Sequence, residues 1–256
     1  MSQNCRILAF ANQKGGVGKT SASHSMVAGL TMKGYKVLAV DADPQGNLSY
    51  TMGADLEAPG VYELMRGVCN PKDAVQKTMQ GDLISGSLLL SGADMEFNDT
   101  GREYILSEAL EAFLPLYDYI VIDSPPQLGI LTINVLTAAH DIVIPMGADT
   151  YSIIGLSQLF ATIGKVRKRC NPGLNISGLL MARHNSRTVL GRDLKDTIEE
   201  KAQLLGTTVF KSIIREGVAV KEAQTGQESL FTTAPNSNVS MDYMGFVDEY
   251  LRGRVA

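Results

Sequence analysis

Near its start the chain reads Ile7-Leu8-Ala9-Phe10-Ala11-Asn12-Gln13-Lys14-Gly15-Gly16-Val17-Gly18-Lys19-Thr20. An apolar run that predicts a buried strand leads into a glycine-rich loop, and apolar residues at helical spacing follow the loop. A strand, a glycine-rich loop and a helix in this order are typical of a phosphate-binding P-loop. The glycines allow positive φ and bring backbone N–H groups close to anionic oxygens. The helix N-terminus adds its positive dipole at the same point.

The side chains at the end of this loop have the chemistry that a nucleotide site needs. Lys19 is expected to pair with the β- and γ-phosphates, and the Thr20 hydroxyl is expected to ligate Mg²⁺. The alternative is a glycine-rich turn with solvated lysines, but glycines, a lysine and a hydroxyl seldom fall in this register by chance. The residues predicted to bind the nucleotide are Lys14, Gly15, Gly16, Val17, Gly18, Lys19, Thr20 and Ser21.

The loop departs from the ordinary P-loop pattern, since Gln13 stands where that pattern has a glycine and a second lysine, Lys14, follows it. The segment Lys14–Thr20 resembles the deviant Walker A motif of the ParA/MinD group of ATPases. That resemblance implies a deviant P-loop NTPase fold, ATP and Mg²⁺ as cofactors, and hydrolysis of ATP. It also implies that Lys14 is catalytic and reaches across a dimer to the partner's nucleotide.

A first acidic segment, Asp41-Ala42-Asp43-Pro44-Gln45-Gly46-Asn47, follows the predicted strand Val37–Val40. One interpretation is a tight turn whose aspartates bond their own backbone. Beside a P-loop we favour carboxylates that orient water or metal near the γ-phosphate. The segment resembles the second signature of the ParA/Soj proteins. That resemblance implies that Asp43 is catalytic, because it positions or activates the attacking water, and that Asp41 is structural.

A second acidic segment, Asp118-Tyr119-Ile120-Val121-Ile122-Asp123-Ser124-Pro125-Pro126, reads as a buried strand that ends in Asp123. A carboxylate there is costly without a partner, and hydrated Mg²⁺ held jointly with Thr20 is a suitable one. We therefore predict a Walker B motif, with Thr20 and Asp123 at the metal. The following Pro-Pro-Gln-Leu-Gly resembles the ParA family loop that senses the γ-phosphate.

The composition excludes several classes of protein. The 256 residues are 45% hydrophobic and 20% charged, which is the profile of an ordinary globular protein. No apolar run approaches the roughly 18 residues of a membrane helix, and no signal peptide is evident, so we expect a cytoplasmic location. Cys5, Cys69 and Cys170 are scattered and are expected to be free thiols. The net charge of −4 leaves room for a local basic patch.

Apolar strand-like runs alternate with helical stretches, which predicts an α/β fold with a mostly parallel sheet flanked by helices on both faces. We expect one domain over residues 1–256, with the ligand site at the carboxyl ends of the strands. The predicted strands are Arg6–Ala11, Lys36–Val40, Leu83–Leu90 with an interruption near Gly86, Tyr119–Ile122, Ile142–Pro145, Ile176–Met181 and a short one near Val209. The predicted helices are Lys19–Lys33, Arg102–Phe113, Leu131–Ala139, Ser157–Arg169, Leu190–Leu205 and Met241–Leu251.

The resemblance to ParA/Soj proteins covers nearly the whole chain, including the segments Leu89–Glu96, Pro145–Asp149 and Ile214–Ala223. It implies a partition ATPase that forms an ATP-sandwich homodimer, binds DNA without sequence preference and associates with the nucleoid when ATP is bound. A ParB-type activator then stimulates hydrolysis and releases the protein. Two departures are Asp149, where relatives often have Glu, and Ala219, where chromosomal Soj proteins often have Arg. The second favours a plasmid or mobile-element relative.

Cations that could contact DNA phosphates occur in three groups, and a solvated surface is an equal alternative for each. We rank highest the group of Lys211, Arg215 and Lys221. The other groups are Lys165, Arg167, Lys168 and Arg169, and Arg183, Arg187, Arg192 and Lys195. The P-loop begins almost at residue 12, so we do not expect an N-terminal operator-binding extension.

Three other functions share these ATPase motifs. A membrane-positioning ATPase like MinD needs a basic amphipathic tail, but Asp242, Asp248 and Glu249 share the C-terminal helix with its apolar residues. We expect that helix to dock on the protein's own core, and we expect no membrane partner. Metallocluster chemistry, as in nitrogenase iron protein or the Mrp scaffolds, needs suitably placed cysteines that the scattered ones do not supply. Positioning of another cargo on the nucleoid remains open.

Overall fold

The computed structural model describes residues 5–147, 150–182 and 189–253, and for 150–154 and 189–195 it describes the backbone alone. Within these ranges one sheet has the strand order β3-β4-β2-β5-β1-β6-β7. Every pairing is parallel except the antiparallel one between β3 and β4. The strands are β1 (Arg6–Phe10), β2 (Val37–Asp41), β3 (Gln76–Thr78), β4 (Gly81–Ile84), β5 (Tyr119–Asp123), β6 (Asp141–Gly147) and β7 (Asn175–Ala182).

Helices cover both faces of the sheet. One face carries α1 (Lys19–Met32), α2 (Asn47–Thr51), α9 (Val218–Thr225), α10 (Leu230–Thr233) and α11 (Asn238–Arg252). The other carries α3 (Val61–Met65), α4 (Ala93–Glu96), α5 (Ile105–Leu110), α6 (Ile130–Ala138), α7 (Thr150–Arg169) and α8 (Val189–Leu204). Because both faces are covered, the central strands are apolar almost throughout. This architecture confirms the predicted fold class.

The strand boundaries agree with the sequence except around β4. The predicted strand Leu83–Leu90 is wrong beyond Ile84, because the chain leaves the sheet there and forms a 3₁₀ helix at Leu88–Gly92. The predicted strand near Val209 is only a single parallel bridge to Leu179. Strand β3 was not predicted, since Gln76-Lys77-Thr78 is a short polar edge segment with little apolar pattern.

Five of the six predicted helices match within three residues at each end. Among these five, the predicted helix Arg102–Phe113 begins only at Ile105 and becomes 3₁₀ from Glu111. Helix α7 begins at Thr150, seven residues before the predicted start at Ser157. The C-terminal helix α11 docks on the core, as expected. It buries Phe246 and Val247, and the Tyr250 hydroxyl donates to Asp141 Oδ2 at 3.0 Å. Its apolar face is therefore used inside the protein.

Candidate nucleotide site

The strand order places the predicted motifs side by side. Strand β1 lies next to β5, with Phe10 opposite Asp123, and β2 lies on the other side of β5, with Asp41 opposite Asp123. The loops that leave these strands at their carboxyl ends therefore converge on one point. This is the position at which parallel α/β sheets bind ligands.

The P-loop is a tight turn fixed by backbone geometry and by Asn12. Gly16 and Gly18 have φ values of 72° and 90°, which side-chain-bearing residues adopt only at a cost. Asn12 Nδ2 donates to Pro145 O at 2.6 Å, and Asn12 Oδ1 accepts from Lys14 N at 3.0 Å. The loop is thus tied to β6 before any ligand binds, and helix α1 begins immediately after it, at Lys19.

Lys19 and Thr20 meet the Walker B carboxylate. Thr20 Oγ1 donates to Asp123 Oδ2 at 2.7 Å, and Lys19 Nζ donates to Lys14 O at 3.4 Å. Burial lowers the pKa of Lys19, while Asp123 and Asp43 act in the opposite direction. Burial and the charge of Asp41 raise the pKa of Asp123. A cation next to Asp123 would stabilise the charged form of this carboxyl group.

This arrangement fits a hydrated magnesium ion. Asp123 is fully buried, and its second oxygen, Oδ1, has no hydrogen-bond partner. A buried oxygen without a partner is costly, and Mg²⁺ with its waters satisfies such an oxygen. Thr20 donates a hydrogen bond to the same carboxylate, so the fold brings together Thr20 and Asp123, the predicted pair.

The two aspartates after β2 differ in their surroundings. Asp41 is fully buried and accepts hydrogen bonds from Ser49 N at 2.8 Å, Ser49 Oγ at 2.7 Å and Asp43 N at 3.2 Å. Asp43 accepts one from Gln45 N at 3.0 Å and lines the open cavity beside the P-loop. Asp41 therefore holds the turn together, whereas Asp43 faces the space in which a nucleotide can lie.

That cavity has a volume of about 740 Å³, enough for a nucleotide. Helix α9 and the loop before it form its far wall, and Gln224 Nε2 donates to Ser21 Oγ at 3.1 Å. Lys14 is not among the described residues that line the cavity. The sequence did not predict the following lining residues: Asn47, Tyr50, Thr51, Val220, Gln224, Thr225 and Tyr243. Asn47 and Val220 lie inside the quoted segments 41–47 and 214–223, where no role was assigned to them, and α2 and α9 border those segments. Tyr243 lies in α11 and had no sequence signal.

The cations ranked highest for DNA lie close to this cavity. Arg215 and Lys221 line the cavity and are exposed. Lys211 is also exposed, near the start of the loop that leads to α9. Arg215 donates to both carboxylate oxygens of Asp242 in α11, at 2.8 and 2.7 Å. Of the other candidates, Arg183 and Arg187 lie outside the described residues, as does Asp149. The side chains of Arg192 and Lys195 also lie outside them.

Gly86 provides a test of the packing behind the aspartates. A Cβ atom at this position would lie 2.6 Å from Asp41 O and 2.9 Å from Asp43 O. Gly86→Ala should therefore displace the turn that carries Asp41 and Asp43, destabilise the protein by about 1–3 kcal/mol and lower turnover. Thermal melting and an ATPase assay measure both effects. Gly164→Ala is the matched control, because a Cβ atom there would have no neighbouring atom within 4 Å. A Gly86→Ala variant with wild-type stability and turnover would contradict the tight packing at Gly86.

The fold and this cavity define the class of the protein as a P-loop nucleotide-binding protein. Comparisons with known proteins agree, and a family model described as an AAA domain matches residues 5–176. Sporulation initiation inhibitor protein Soj of Bacillus subtilis is 39% identical, with 95% of this chain and 97% of Soj covered. Chromosome partitioning protein ParA of Caulobacter vibrioides is 37% identical, with 87% and 85% covered. The chain belongs to the Soj/ParA family of partitioning ATPases.

Solved structures share the whole fold. Cobyrinic acid a,c-diamide synthase from Mycobacterium smegmatis, with a bound ATP analogue and magnesium, has a TM-score of 0.87 and 35% identity. The match covers 98% of this chain and 95% of that one. In the part of this chain that the structure describes, no helix is long and apolar enough to cross a membrane.

Proposed function

We propose that this protein is a Mg²⁺-dependent ATPase that segregates DNA. In this proposal ATP drives formation of a homodimer, the dimer binds DNA without sequence preference, and a ParB-type activator stimulates hydrolysis and releases it. The observation that carries the ATPase part is the contact between Thr20 and Asp123, whose second buried oxygen has no partner. The partition part is supported by the relatives, several of which are chromosome-partitioning proteins by name.

Binding of ATP uses the P-loop. Backbone N–H groups from Gly15 to Thr20 cradle the phosphates, and the Lys19 ammonium neutralises the β- and γ-phosphates. Thr20 and Asp123 would hold Mg²⁺, which supplies charge neutralisation at the phosphates when bound. The cavity wall formed by α9 leaves room beside Ser21 for the rest of the nucleotide.

Hydrolysis uses Asp43 to orient water. Asp43 is 6% exposed and lines the cavity, and its Oδ1 is fixed by Gln45 N. A carboxylate held in this way can accept a hydrogen bond from a water in line with the γ-phosphate. Lys14 is proposed to complete the site of the other protomer, which makes hydrolysis depend on dimerisation.

The decisive experiment measures DNA binding by the full chain with ATP, with ADP and without nucleotide, at one stated salt concentration. Tight binding to DNA is expected with ATP and not with ADP or without nucleotide. It should be accompanied by Mg²⁺-dependent turnover of ATP. DNA binding of equal strength with ATP, with ADP and without nucleotide would contradict the proposed cycle. Binding to anionic lipid vesicles in place of DNA would favour a membrane-positioning ATPase like MinD. A protein that positions another cargo on the nucleoid would give the same result in this DNA-binding experiment. It would differ in the partner protein that it binds.

The DNA surface itself can be tested at Lys221, which is exposed at the cavity rim. Lys221→Gln should weaken binding to all DNA sequences equally and make the salt dependence shallower by about one unit of slope. Fluorescence anisotropy across a salt series measures both. Lys72→Gln, at an exposed lysine in another part of the chain, is the matched control. Equal DNA affinity in Lys221→Gln and the wild type would indicate that another basic group contacts DNA.

Arg215 allows a complementary test because Asp242 holds its guanidinium. A carboxylate at 2.7 Å competes with any phosphate for the same N–H donors. Asp242→Asn should therefore raise DNA affinity several-fold, and Arg215→Gln should lower it. If neither variant alters DNA binding, Arg215 serves only to hold α11 on the loop before α9.

A further inference from the structure

Helix α6 begins after a residue that cannot cap it with a side chain. Its N-cap residue is Gly129, which has no side chain to accept a hydrogen bond from the first N–H groups of the helix. The cap comes instead from Asp94 in α4, 36 residues earlier in the chain, whose Oδ1 accepts a hydrogen bond from Ile130 N at 2.7 Å. A carboxylate here also interacts favourably with the positive end of the helix dipole. Another element of the fold therefore fixes the start of α6.

The contact between Asp94 and Gly129 leaves no room for a side chain on the glycine. A Cβ atom on Gly129 would lie 2.6 Å from Asp94 Oδ2 and 3.0 Å from Asp94 Oδ1. The backbone of Gly129 does not itself require glycine, because its φ of −94° and ψ of −168° are accessible to other residues. The approach of the Asp94 carboxylate therefore explains the glycine at this position.

Asp94 lies on a short element that its neighbours hold in place. Ala93 and Phe97 are buried in the core. The Tyr62 hydroxyl donates to Glu96 Oε2 at 2.9 Å, which ties α4 to α3. Asp94 itself is exposed. The hydrogen bond to α6, rather than burial, therefore keeps its carboxylate at the start of that helix.

The loop between β5 and α6 is fixed at both ends and borders the nucleotide cavity between them. Ser124 Oγ donates to Phe10 O in β1 at 2.8 Å, which fixes the end next to β5. The hydrogen bond from Ile130 to Asp94 fixes the other end. Pro126 lies between these anchors and lines the cavity. Loss of the second anchor therefore allows this wall of the cavity to shift.

A shift of the start of α6 is passed to the loop, because Thr132 Oγ1 donates to Gln127 O at 2.5 Å. Hydrolysis is sensitive to such shifts, since a misplacement of about 1 Å can lower a rate by about 100-fold. Binding of the nucleotide is less sensitive, because most of its contacts come from the P-loop. Displacement of the loop should therefore lower turnover more than ATP affinity.

We propose that Asp94 is a positioning residue for ATP hydrolysis. It acts through Ile130 to hold the loop that carries Pro126 at the wall of the nucleotide cavity. The inference rests on the proposed function, since it concerns the ATPase reaction in the same cavity. It also assigns a role to the segment Leu89–Glu96, which the sequence marks only by its family resemblance.

The first test separates turnover from ATP affinity in the full chain. Asp94→Ala should lower steady-state phosphate release by about tenfold and change the Kd for a fluorescent ATP analogue by less than about twofold. Asp94→Asn keeps an oxygen that can accept from Ile130 N, and it should retain most of the turnover. Normal turnover in Asp94→Ala, or an equal loss in Asp94→Asn, would overturn the positioning role.

Ser237→Ala is the control for stability. The Ser237 side chain caps α11, on the opposite face of the sheet, by accepting a hydrogen bond from Ser240 N at 3.2 Å. Asp94→Ala and Ser237→Ala should lower the melting temperature by similar amounts, but Ser237→Ala should keep wild-type turnover. If both variants lose turnover equally, Asp94 contributes to stability alone and the proposal fails.

A substitution at Gly129 tests the same contact from the other side. Gly129→Ala should lower turnover, because the new Cβ atom displaces the Asp94 carboxylate. In the Asp94→Ala background no carboxylate remains to be displaced, so Gly129→Ala should cause little further loss. If the two losses multiply in the double variant, the residues act independently and the proposed contact does not position the loop.

A fluorescence measurement keeps the test independent of catalysis. The chain contains no tryptophan, so Gln127→Trp provides a single reporter at an exposed position of the loop. Its emission spectrum with a non-hydrolysable ATP analogue should shift on Asp94→Ala and return towards the original on Asp94→Asn. Identical spectra in the three backgrounds would rule out the positioning role. A wild-type chain that hydrolyses no ATP, with these spectral shifts present, would refute the proposed function and leave the placement of the loop by Asp94 intact.

Discussion

Asp43→Ala should retain ATP affinity and lower ATP turnover by about 100-fold or more, because the loss of a positioned acid–base group has an effect of that size. Affinity should depend on the P-loop N–H groups, on Lys19, and on a metal that Thr20 and Asp123 would hold. Among the hydrogen bonds of the described residues, those of Lys19, Thr20 and Asp123 do not involve Asp43. Equilibrium binding of a fluorescent ATP analogue and steady-state phosphate release measure the two quantities separately.

The same variant should remain on DNA. If the ATP dimer is the DNA-bound form, a chain that binds ATP but does not hydrolyse it has no route back to the monomer. Its residence time on DNA should therefore increase by a factor similar to the loss of turnover. Single-molecule imaging on a DNA carpet measures the residence time.

The control for Asp43 is Asp73→Ala, which removes an exposed carboxylate in another part of the chain. It should leave both turnover and residence time unchanged. Normal turnover in Asp43→Ala would transfer the water-positioning role to the loop after Asp123. Loss of ATP affinity in Asp43→Ala would show that the carboxylate supports the nucleotide site itself.

Much of the fold could be predicted because its signals are local. The strands β1, β2, β5 and β6 are short apolar runs flanked by turn residues or polar residues, and a helix follows each of them. The position of Asp123 beside Thr20 also follows from sequence once the strands are parallel, since the P-loop leaves the carboxyl end of β1 and Asp123 ends the neighbouring strand β5. Their hydrogen bond is the contact that this reasoning implies.

The rest depends on contacts between distant parts of the chain. Helix α9 reaches Ser21 through Gln224, across a separation of 203 residues, and no local pattern shows that contact. The 3₁₀ helix at Leu88 could not be separated from a strand, because a short run of leucines suits both. The ion pair between Arg215 and Asp242 also has no local sequence pattern. It determines which N–H groups of Arg215 can bind a phosphate.

Lys14→Ala should leave ATP bound to the monomer but weaken the ATP-dependent dimer and lower stimulated turnover on the order of 1,000-fold, as for other cations supplied in trans to a phosphoryl group. Lys14 is only half-buried and does not line its own cavity, whereas Lys19 is buried at the P-loop. Sedimentation with ATP measures the dimer, and Lys36→Ala, at an exposed lysine in another part of the chain, is the control. A normal dimer with normal stimulated turnover would exclude the role across the dimer.

Mixing two inactive variants separates a lysine that acts across the dimer from one that acts within its own protomer. In a mixed dimer of Lys14→Ala and Asp43→Ala, one of the two sites combines an intact Asp43 with an intact Lys14 from the other protomer. At a protein concentration that saturates the dimer, random pairing makes half of the dimers mixed, so the mixture should recover about a quarter of wild-type turnover. If Lys14 acted within its own protomer, every site in the mixture would lack one of the two groups. Turnover would then stay at the level of the single variants, and the proposed sandwich arrangement would be wrong.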